Sequence, residues 1–136
     1  MSAYAKPLPQ IDDRNRGFWE GLKRHELCLL RCGDCGHYRY QSYKTCPACA
    51  AETSNWVKVS GRGTVWSFGF FHKAYFKGFV GEMPYNVVAV ALDEGPRIYS
   101  NLVGVAKDDI RIGMTVEAVY EDVTPEVTLV KFRPLR

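Results

Sequence analysis

Two pairs of closely spaced cysteines constrain the fold of this chain more than any other sequence feature. Cys32 and Cys35 form one C-x-x-C pair, and Cys46 and Cys49 form a second pair after ten intervening residues. Each pair lets two thiolates reach the same ion, so the two pairs together predict a closed, structural Zn²⁺ site. An iron ion in a rubredoxin-like site would use the same four ligands. Four unligated thiols are the remaining alternative.

The position of the cysteines also indicates the compartment. All five cysteines of the chain lie between residues 28 and 49, and a reducing cytoplasm favours metal binding over disulfides for such a cluster. The sequence has no apolar run of the ~18 residues that a membrane-spanning helix needs. The first residues lack the apolar segment of a secretory signal. We therefore expect a cytoplasmic protein.

Composition and charge indicate a globular protein and bear on whether it binds nucleic acid. The chain has 136 residues, of which 46% are hydrophobic and 24% charged, which is typical of one globular domain or two very small ones. The net charge of +3 is spread evenly: residues 1–56 carry eight basic and six acidic side chains, and residues 57–136 carry ten and nine. Nucleic-acid-binding proteins concentrate basic charge on one face. The even distribution argues against that class.

The pattern of apolar residues predicts a helix near residues 12–25, with Asp12 and Asp13 at its N-terminus. Its large apolar side chains either pack on their own chain or form a docking surface for another protein; they are Phe18, Trp19 and Leu22. We assign residues 1–25 to an N-terminal arm and helix, and residues 26–56 to a zinc ribbon.

The remainder of the chain, residues 57–136, has the pattern of a small β-barrel. Apolar and β-branched runs separated by turn signals predict five strands, over residues 57–71, 85–92, 97–103, 116–121 and 127–132. The first of these contains Gly61 and Gly63, which predict a bend or bulge. A short turn or helix is expected within residues 107–113. Five strands with mostly hairpin connections favour a closed OB-type barrel, so the predicted fold class is mainly β.

A segment between two of these strands is the candidate ligand site. Residues 72–84 place aromatic rings and lysines among glycines; the candidate binding residues are Lys73, Tyr75, Phe76, Lys77 and Phe79. Aromatic faces stack on bases, and lysines bind phosphates, so the segment suits a nucleotide-like group. Packing against the mouth of the barrel or against a partner protein is the alternative.

The other chemically active side chains give weaker signals. Cys28 is predicted to be a buried strand residue, with a spare thiol near the metal and a nucleophile as alternatives. His37 is expected to face solvent, and His72 is the one histidine that we consider a candidate for a functional role. The sequence shows no Ser/His/Asp order, no paired-carboxylate motif and no open metal site, so we expect no catalytic residue.

Several motifs occur in an order that resembles a known family. They are Phe18-Trp19-Glu20-Gly21-Leu22, the two cysteine pairs, Ser60-Gly61-Arg62-Gly63-Thr64-Val65, Glu94-Gly95-Pro96-Arg97 and Ile112-Gly113-Met114. With these motifs the chain resembles the zinc-ribbon/OB-fold acyl-CoA-associated family, formerly a domain of unknown function, over roughly residues 12–133. The resemblance implies an N-terminal helix, a rubredoxin-like zinc ribbon and a C-terminal five-stranded OB-fold barrel.

The resemblance also implies a function in lipid and CoA-thioester metabolism. Members of the family are small partner subunits of thiolase-like enzymes, including acyltransferases and aldolases, and the reactive residues lie in the other chain. The expected assembly is a hetero-oligomer with two copies of this chain on an enzyme dimer. The expected ligand is an acyl-CoA thioester, held by the candidate residues of the 72–84 segment. A nucleic-acid-binding zinc-ribbon/OB module is the alternative function.

Overall fold

One α-helix and eight strands make up the part of the chain that the computed structural model describes, which is residues 9–39, 45–71 and 85–135. The elements are α1 (Arg16–Lys23), β1 (Cys28–Cys32), β2 (Tyr38–Arg39), β3 (Ser54–Lys58), β4 (Arg62–Phe71), β5 (Tyr85–Leu92), β6 (Arg97–Ser100), β7 (Thr115–Asp122) and β8 (Thr128–Pro134). A short 3-10 helix, Lys107–Asp109, precedes β7. Within these described ranges, no helix has the length and apolar character to cross a bilayer.

The first sheet has three antiparallel strands in the order β2-β1-β3. Leu30 in the central strand pairs with Arg39 on one side and with Trp56 on the other. Leu29 and Cys32 of the same strand are buried, so β1 forms the buried centre of this sheet. The first cysteine pair begins at the last residue of this strand.

The second sheet has five antiparallel strands in the order β6-β5-β4-β7-β8, and it curls until its two edges meet. Leu102, just after β6, forms a parallel bridge with Phe132 of β8. The Phe132 N–H donates to the Asn101 carbonyl at 3.0 Å, and the Val103 N–H donates to the Phe132 carbonyl at 2.8 Å. The predicted mainly β fold with an OB-type barrel is confirmed.

Both sheets and the helix contribute to one apolar core. Leu22 of α1 and Leu29 of β1 belong to the same cluster of buried side chains as Val65 of β4 and Phe132 of β8. The alternation of apolar residues along each barrel strand explains this arrangement, because every second side chain points inward. The first sheet, which we call the ribbon sheet, therefore packs on the barrel through shared apolar contacts.

The region predicted as a single strand over residues 57–71 is divided in the structure. β3 ends at Lys58 and pairs with the first sheet, whereas β4 begins at Arg62 and pairs with the second. Gly61 between them has φ +76°, and a Cβ there would lie 3.2 Å from Ala118 Cβ, so the bend requires glycine. The predicted irregularity at the glycines is thus a bend, and a separate bulge that was not predicted lies within β4, where the register shifts between Val65 and Ser67.

The helix begins later than predicted, at Arg16 rather than near residue 12. The reason is local: the Asp12 carboxylate accepts hydrogen bonds from the N–H groups of Arg14, at 2.9 Å, and Asn15, at 3.1 Å. These bonds form a turn that competes with helix initiation. Asp12 and Asp13 therefore precede the helix instead of capping it.

The apolar face of α1 packs on its own chain. Phe18 and Leu22 are buried, and the Phe18 and Trp19 rings meet edge to face at 5.1 Å. Gly17 and Gly21 permit this close packing. A Cβ at Gly17 would lie 2.5 Å from the Trp56 indole, and one at Gly21 would lie 2.8 Å from the sulfur of Cys28. The alternative of a helical docking surface is not supported.

His25, two residues after the end of α1, joins the helix to the barrel. The His25 N–H donates to the Leu22 carbonyl at 2.8 Å and the Glu26 N–H donates to the Gly21 carbonyl at 2.9 Å, with His25 in the left-handed region at φ 60°. Its ring stacks on Tyr120 at 5.2 Å, and its Nε2 lies 3.1 Å from Asp122 Oδ1. These contacts compensate for a backbone conformation that usually favours glycine.

We expect Asp122→Asn to flatten the acid limb of the stability profile. The Thr128 hydroxyl and then His25 lower the pKa of Asp122 in the folded protein. A lowered carboxyl pKa adds stability above the unfolded value of about 3.9, and this contribution is lost as the pH falls through the folded value. The melting temperature of the wild type should therefore fall more steeply than that of the variant below about pH 4. Thermal melts by circular dichroism test this, with Asp109→Asn as the control, and parallel profiles would contradict it.

Candidate metal centre

The four predicted ligands form a compact sulfur cluster. The Sγ atoms of Cys32, Cys35, Cys46 and Cys49 all lie within 4.8 Å of one another. The Cys32 and Cys49 sulfurs are 3.5 Å apart, and those of Cys35 and Cys46 are 3.7 Å apart. Four sulfurs at 2.3 Å from a tetrahedral zinc ion would be about 3.8 Å from one another. The geometry is therefore compatible with zinc.

The first cysteine pair occupies a tight turn at the end of β1. The Cys32 N–H donates to the His37 carbonyl at 2.9 Å, and the Gly36 N–H donates to the Cys32 carbonyl at 3.1 Å. Gly36 adopts φ +77°, and the Cys35 N–H points at the Cys32 sulfur at 3.5 Å. This turn directs the two side chains of the pair to one point.

The second pair repeats the same hydrogen bonds. The Cys46 N–H donates to the Ala51 carbonyl at 2.8 Å, and the Ala50 N–H donates to the Cys46 carbonyl at 2.7 Å. Ala50 takes the place of Gly36, with φ 64°, and the Ala48 N–H points at the Cys46 sulfur at 3.4 Å. The two turns therefore form matching halves of one site, and each half buries its first cysteine and exposes its second.

The electrostatics of the cluster favour a bound cation. The N–H groups of Cys35 and Asp34 lower the pKa of Cys32 to about 6, so this thiol ionises readily. At Cys49 the Ala51 N–H lowers the pKa, but the sulfurs of Cys32, Cys35 and Cys46 together with burial outweigh it and raise the pKa to about 12. Four thiolates therefore do not form together without a positive ion between them. A divalent cation supplies that charge.

Cys28 lies outside this cluster and belongs to the core. Its side chain is 4% exposed in β1, and its sulfur packs against Gly21 of α1. Burial raises the pKa of this thiol, so it is not activated as a nucleophile. His37 is exposed, as expected, and its backbone carbonyl and N–H, not its ring, take part in the cysteine turn.

The predicted ligand-binding residues lie outside the described residues. Lys73, Tyr75, Phe76, Lys77 and Phe79 all belong to the 72–84 segment, as does His72. The structure describes the strands on either side, where Phe71 of β4 pairs with Tyr85 of β5. The assignment of these residues to a CoA thioester stays a prediction.

A surface groove was not anticipated from the sequence. This outer groove, of about 390 Å³, is lined by residues 66–70 of β4, by Val87 and Ala89 of β5, and by Tyr99 of β6. Trp66 and Tyr99 are 50% and 68% exposed, and the Arg97 guanidinium carbon lies 3.8 Å from the Trp66 ring centre. The sequence signal that could have indicated this groove is the set of small residues on the outer face of β4 and β5, namely Ser67, Gly69 and Ala89.

Comparison with known proteins relates the cysteine-containing region and the barrel to the same family. The family model described as the ChsH2 C-terminal OB-fold domain matches residues 56–121. A DUF35 domain-containing scaffold protein of Methanocaldococcus jannaschii is 36% identical over 104 residues, which is 75% of this chain and 73% of that protein. The probable enoyl-CoA hydratase alpha subunit of Thermomonospora curvata is 38% identical over 95% of this chain. This chain spans only 40% of the length of that subunit.

A solved structure shares the whole fold. The chain is similar to one from the structure described as the Ltp2-ChsH2(DUF35) aldolase, with a TM-score of 0.85 and 38% sequence identity. The match covers 93% of this chain and 98% of the other. The similarity therefore extends over helix, ribbon and barrel together.

Proposed function

Because this chain belongs to the DUF35 family, we propose that it is a non-catalytic accessory subunit of a thiolase-like enzyme that forms or cleaves a C–C bond in an acyl-CoA. The observation that carries the proposal is the full-length similarity to a chain of the Ltp2-ChsH2(DUF35) aldolase structure. The scaffold relatives of similar length support the same role. In this proposal the subunit works in the cytoplasm, aids assembly and helps to hold or transfer the acyl-CoA.

The described residues support a non-catalytic role. Their histidine–carboxylate contact, His25 with Asp122, is exposed, and the Thr128 hydroxyl donates to the carboxylate rather than to the histidine. A nucleophile of the serine-protease type must instead contact the histidine ring. The cysteine cluster is also unsuited to catalysis, because four thiolates leave no open position on the ion. Cys32, Cys35, Cys46 and Cys49 would hold the metal and thereby fasten the two turns to each other.

Isolation from native cells tests the proposed function. We expect an affinity-tagged chain to retain a thiolase-like enzyme, identified by mass spectrometry, with two copies of the chain on an enzyme dimer by light scattering. The purified chain alone should cleave no CoA thioester, whereas the complex should be active. Turnover by the isolated chain, or the absence of any such enzyme from the purified material, would overturn the proposal.

A CoA thioester is the ligand we assign to the 72–84 segment. Lys73 and Lys77 would contact the phosphates, and Tyr75, Phe76 and Phe79 would provide stacking surfaces. The support for this assignment is the residue types of the segment together with its place between β4 and β5. Loops at the ends of OB-fold strands commonly bind ligands.

Charge reversal at both lysines separates ligand binding from assembly. We expect Lys73→Glu/Lys77→Glu to weaken CoA-ester binding by the complex at least about tenfold, since two phosphate contacts are lost, while the complex still forms. Lys23→Glu/Lys58→Glu, at two exposed positions outside the segment, is the control with the same change in charge. Calorimetric titration with a CoA thioester and gel filtration provide the two measurements. Loss of assembly before ligand binding would assign the segment to the partner instead.

Nucleic-acid binding is the second candidate function, because Trp66 and Tyr99 are exposed on an OB-fold sheet. The even charge distribution argues against it. A gel shift with single-stranded oligonucleotides at increasing salt decides between the two functions, because phosphate binding weakens steeply with salt.

A further inference from the structure

Gly69, in the outer groove, has no role that the described packing explains. It lies inside β4, and its φ is not positive. A Cβ at this position would lie more than 4 Å from every atom of the described residues outside its chain neighbours. Glycine inside a strand destabilises the fold through its backbone entropy and its missing side-chain contacts. Such a glycine often marks the place where a ligand or another backbone approaches closely. No contact within the described part of the chain therefore accounts for Gly69, whereas close approach of a partner would.

The groove around Gly69 has a floor of small residues and aromatic walls. Ser67 pairs with Ala89, and Ala89 pairs with Tyr99, so this row crosses three strands. Two strand spacings, about 9.6 Å, separate Ser67 from Tyr99 along the row. Exposed strand faces are usually covered by β-branched or polar side chains. A floor of Ser67, Gly69 and Ala89 instead leaves space for an inserted apolar side chain.

The residues at the walls are those that dominate protein–protein interfaces. Trp, Tyr and Arg are the residue types enriched among binding hot spots, and Trp66, Tyr99 and Arg97 lie together here. The lining residues include no carboxylate and no lysine. In the described part of the chain, the charges that contact the lining are Arg97, over Trp66, and Lys107, whose Nζ lies 4.9 Å from the Phe70 ring centre. A protein surface with an apolar side chain beside a carboxylate is complementary to this arrangement. A nucleic acid would require several cations for its phosphates.

We propose that the outer groove is a docking surface for the thiolase-like enzyme, which inserts an apolar side chain over Gly69 and places a carboxylate at Arg97. The proposal rests on the proposed function, and it names the surface through which that function is exercised. The stacking of Arg97 on Trp66 holds the guanidinium in place before binding, which reduces the side-chain entropy lost on association.

Filling the groove tests this proposal. The probe is the enzyme identified by co-purification, produced separately and titrated with wild type and with Gly69→Thr. We expect Gly69→Thr to have an equal or higher melting temperature, because threonine favours strands, and an affinity at least tenfold weaker. Arg133→Thr, at an exposed position of β8 outside the groove, should leave the affinity unchanged. Arg97→Glu should weaken binding more than Arg97→Lys, since only the glutamate repels the expected carboxylate.

Each contrary result identifies a different occupant. A lower melting temperature of Gly69→Thr would mean that this chain itself covers the groove, and it would overturn the proposal. Unchanged enzyme affinity in both Gly69→Thr and Arg97→Glu would also overturn it, while the accessory function would stand. Failure of the wild type to retain any thiolase-like enzyme would instead overturn the proposed function. Oligonucleotide binding that Tyr99→Ala abolishes would assign the groove to nucleic acid.

Discussion

Cys35→Ser is expected to abolish metal binding and to remove most of the soluble, folded protein. The Cys35 side chain is exposed, so the smaller and more polar serine disturbs little packing by itself. Its sulfur, however, lies 3.7 Å from that of Cys46 and completes the four-sulfur cluster. Structural zinc contributes roughly 10–16 kcal/mol of apparent binding free energy, whereas a whole domain has about 5–15 kcal/mol of stability. The lost metal therefore outweighs any local effect of the substitution.

Metal analysis with a matched cysteine variant tests this expectation. Wild-type protein purified without added metal should contain one equivalent of zinc or iron, and Cys35→Ser should contain almost none. Cys28→Ser is the control, because Cys28 is buried against Gly21 outside the cluster, so this variant should lose stability but keep its metal. Well under one equivalent in clean wild-type protein, together with normal folding of the quadruple serine variant, would disprove the metal centre.

Phe132→Ala is expected to lower the free energy of unfolding by about 3–5 kcal/mol. The side chain is 0% exposed, and its backbone joins the two edges of the curled sheet through Asn101 and Val103. Its removal leaves a cavity where the barrel closes, and the surrounding strands are held too firmly to fill it. Urea denaturation followed by circular dichroism provides the measurement. Tyr99→Ala, an exposed aromatic of the same sheet, should change the free energy by less than about 0.5 kcal/mol, and similar losses in both variants would contradict the prediction.

The barrel strands were predictable because alternating apolar residues indicate a strand wherever one face is buried. The structure confirms residues 85–92 as β5 at both ends. The structure differs from the prediction where long-range strand pairing or competing hydrogen bonds determine the bounds of an element. β3 joins the ribbon sheet because Trp56 pairs with Leu30, and no local pattern encodes a partner so distant in the chain. The helix start differs because the Asp12 carboxylate bonds to the turn before it.

The metal ligands were predictable for a different reason. Ligand spacing in two C-x-x-C pairs is a local property, and the structure brings the four sulfurs together as expected. The outer groove was missed because it depends on the absence of large side chains, and small residues carry little signal in a hydrophobic pattern. The bulge that follows Val65 also changes which way Trp66 faces, and the alternation rule does not anticipate such a shift.

The shared apolar core has a consequence for the lifetime of this protein in a cell. Leu22 and Leu29 on one side and Val65 and Phe132 on the other belong to one cluster, so opening the ribbon exposes side chains that the barrel also needs. Elements that share a core tend to open as one cooperative unit. Damage to one cysteine turn, by oxidation or by loss of the ion, would then expose the entire chain to proteases. The abundance of the folded protein would in this way follow the supply of the metal.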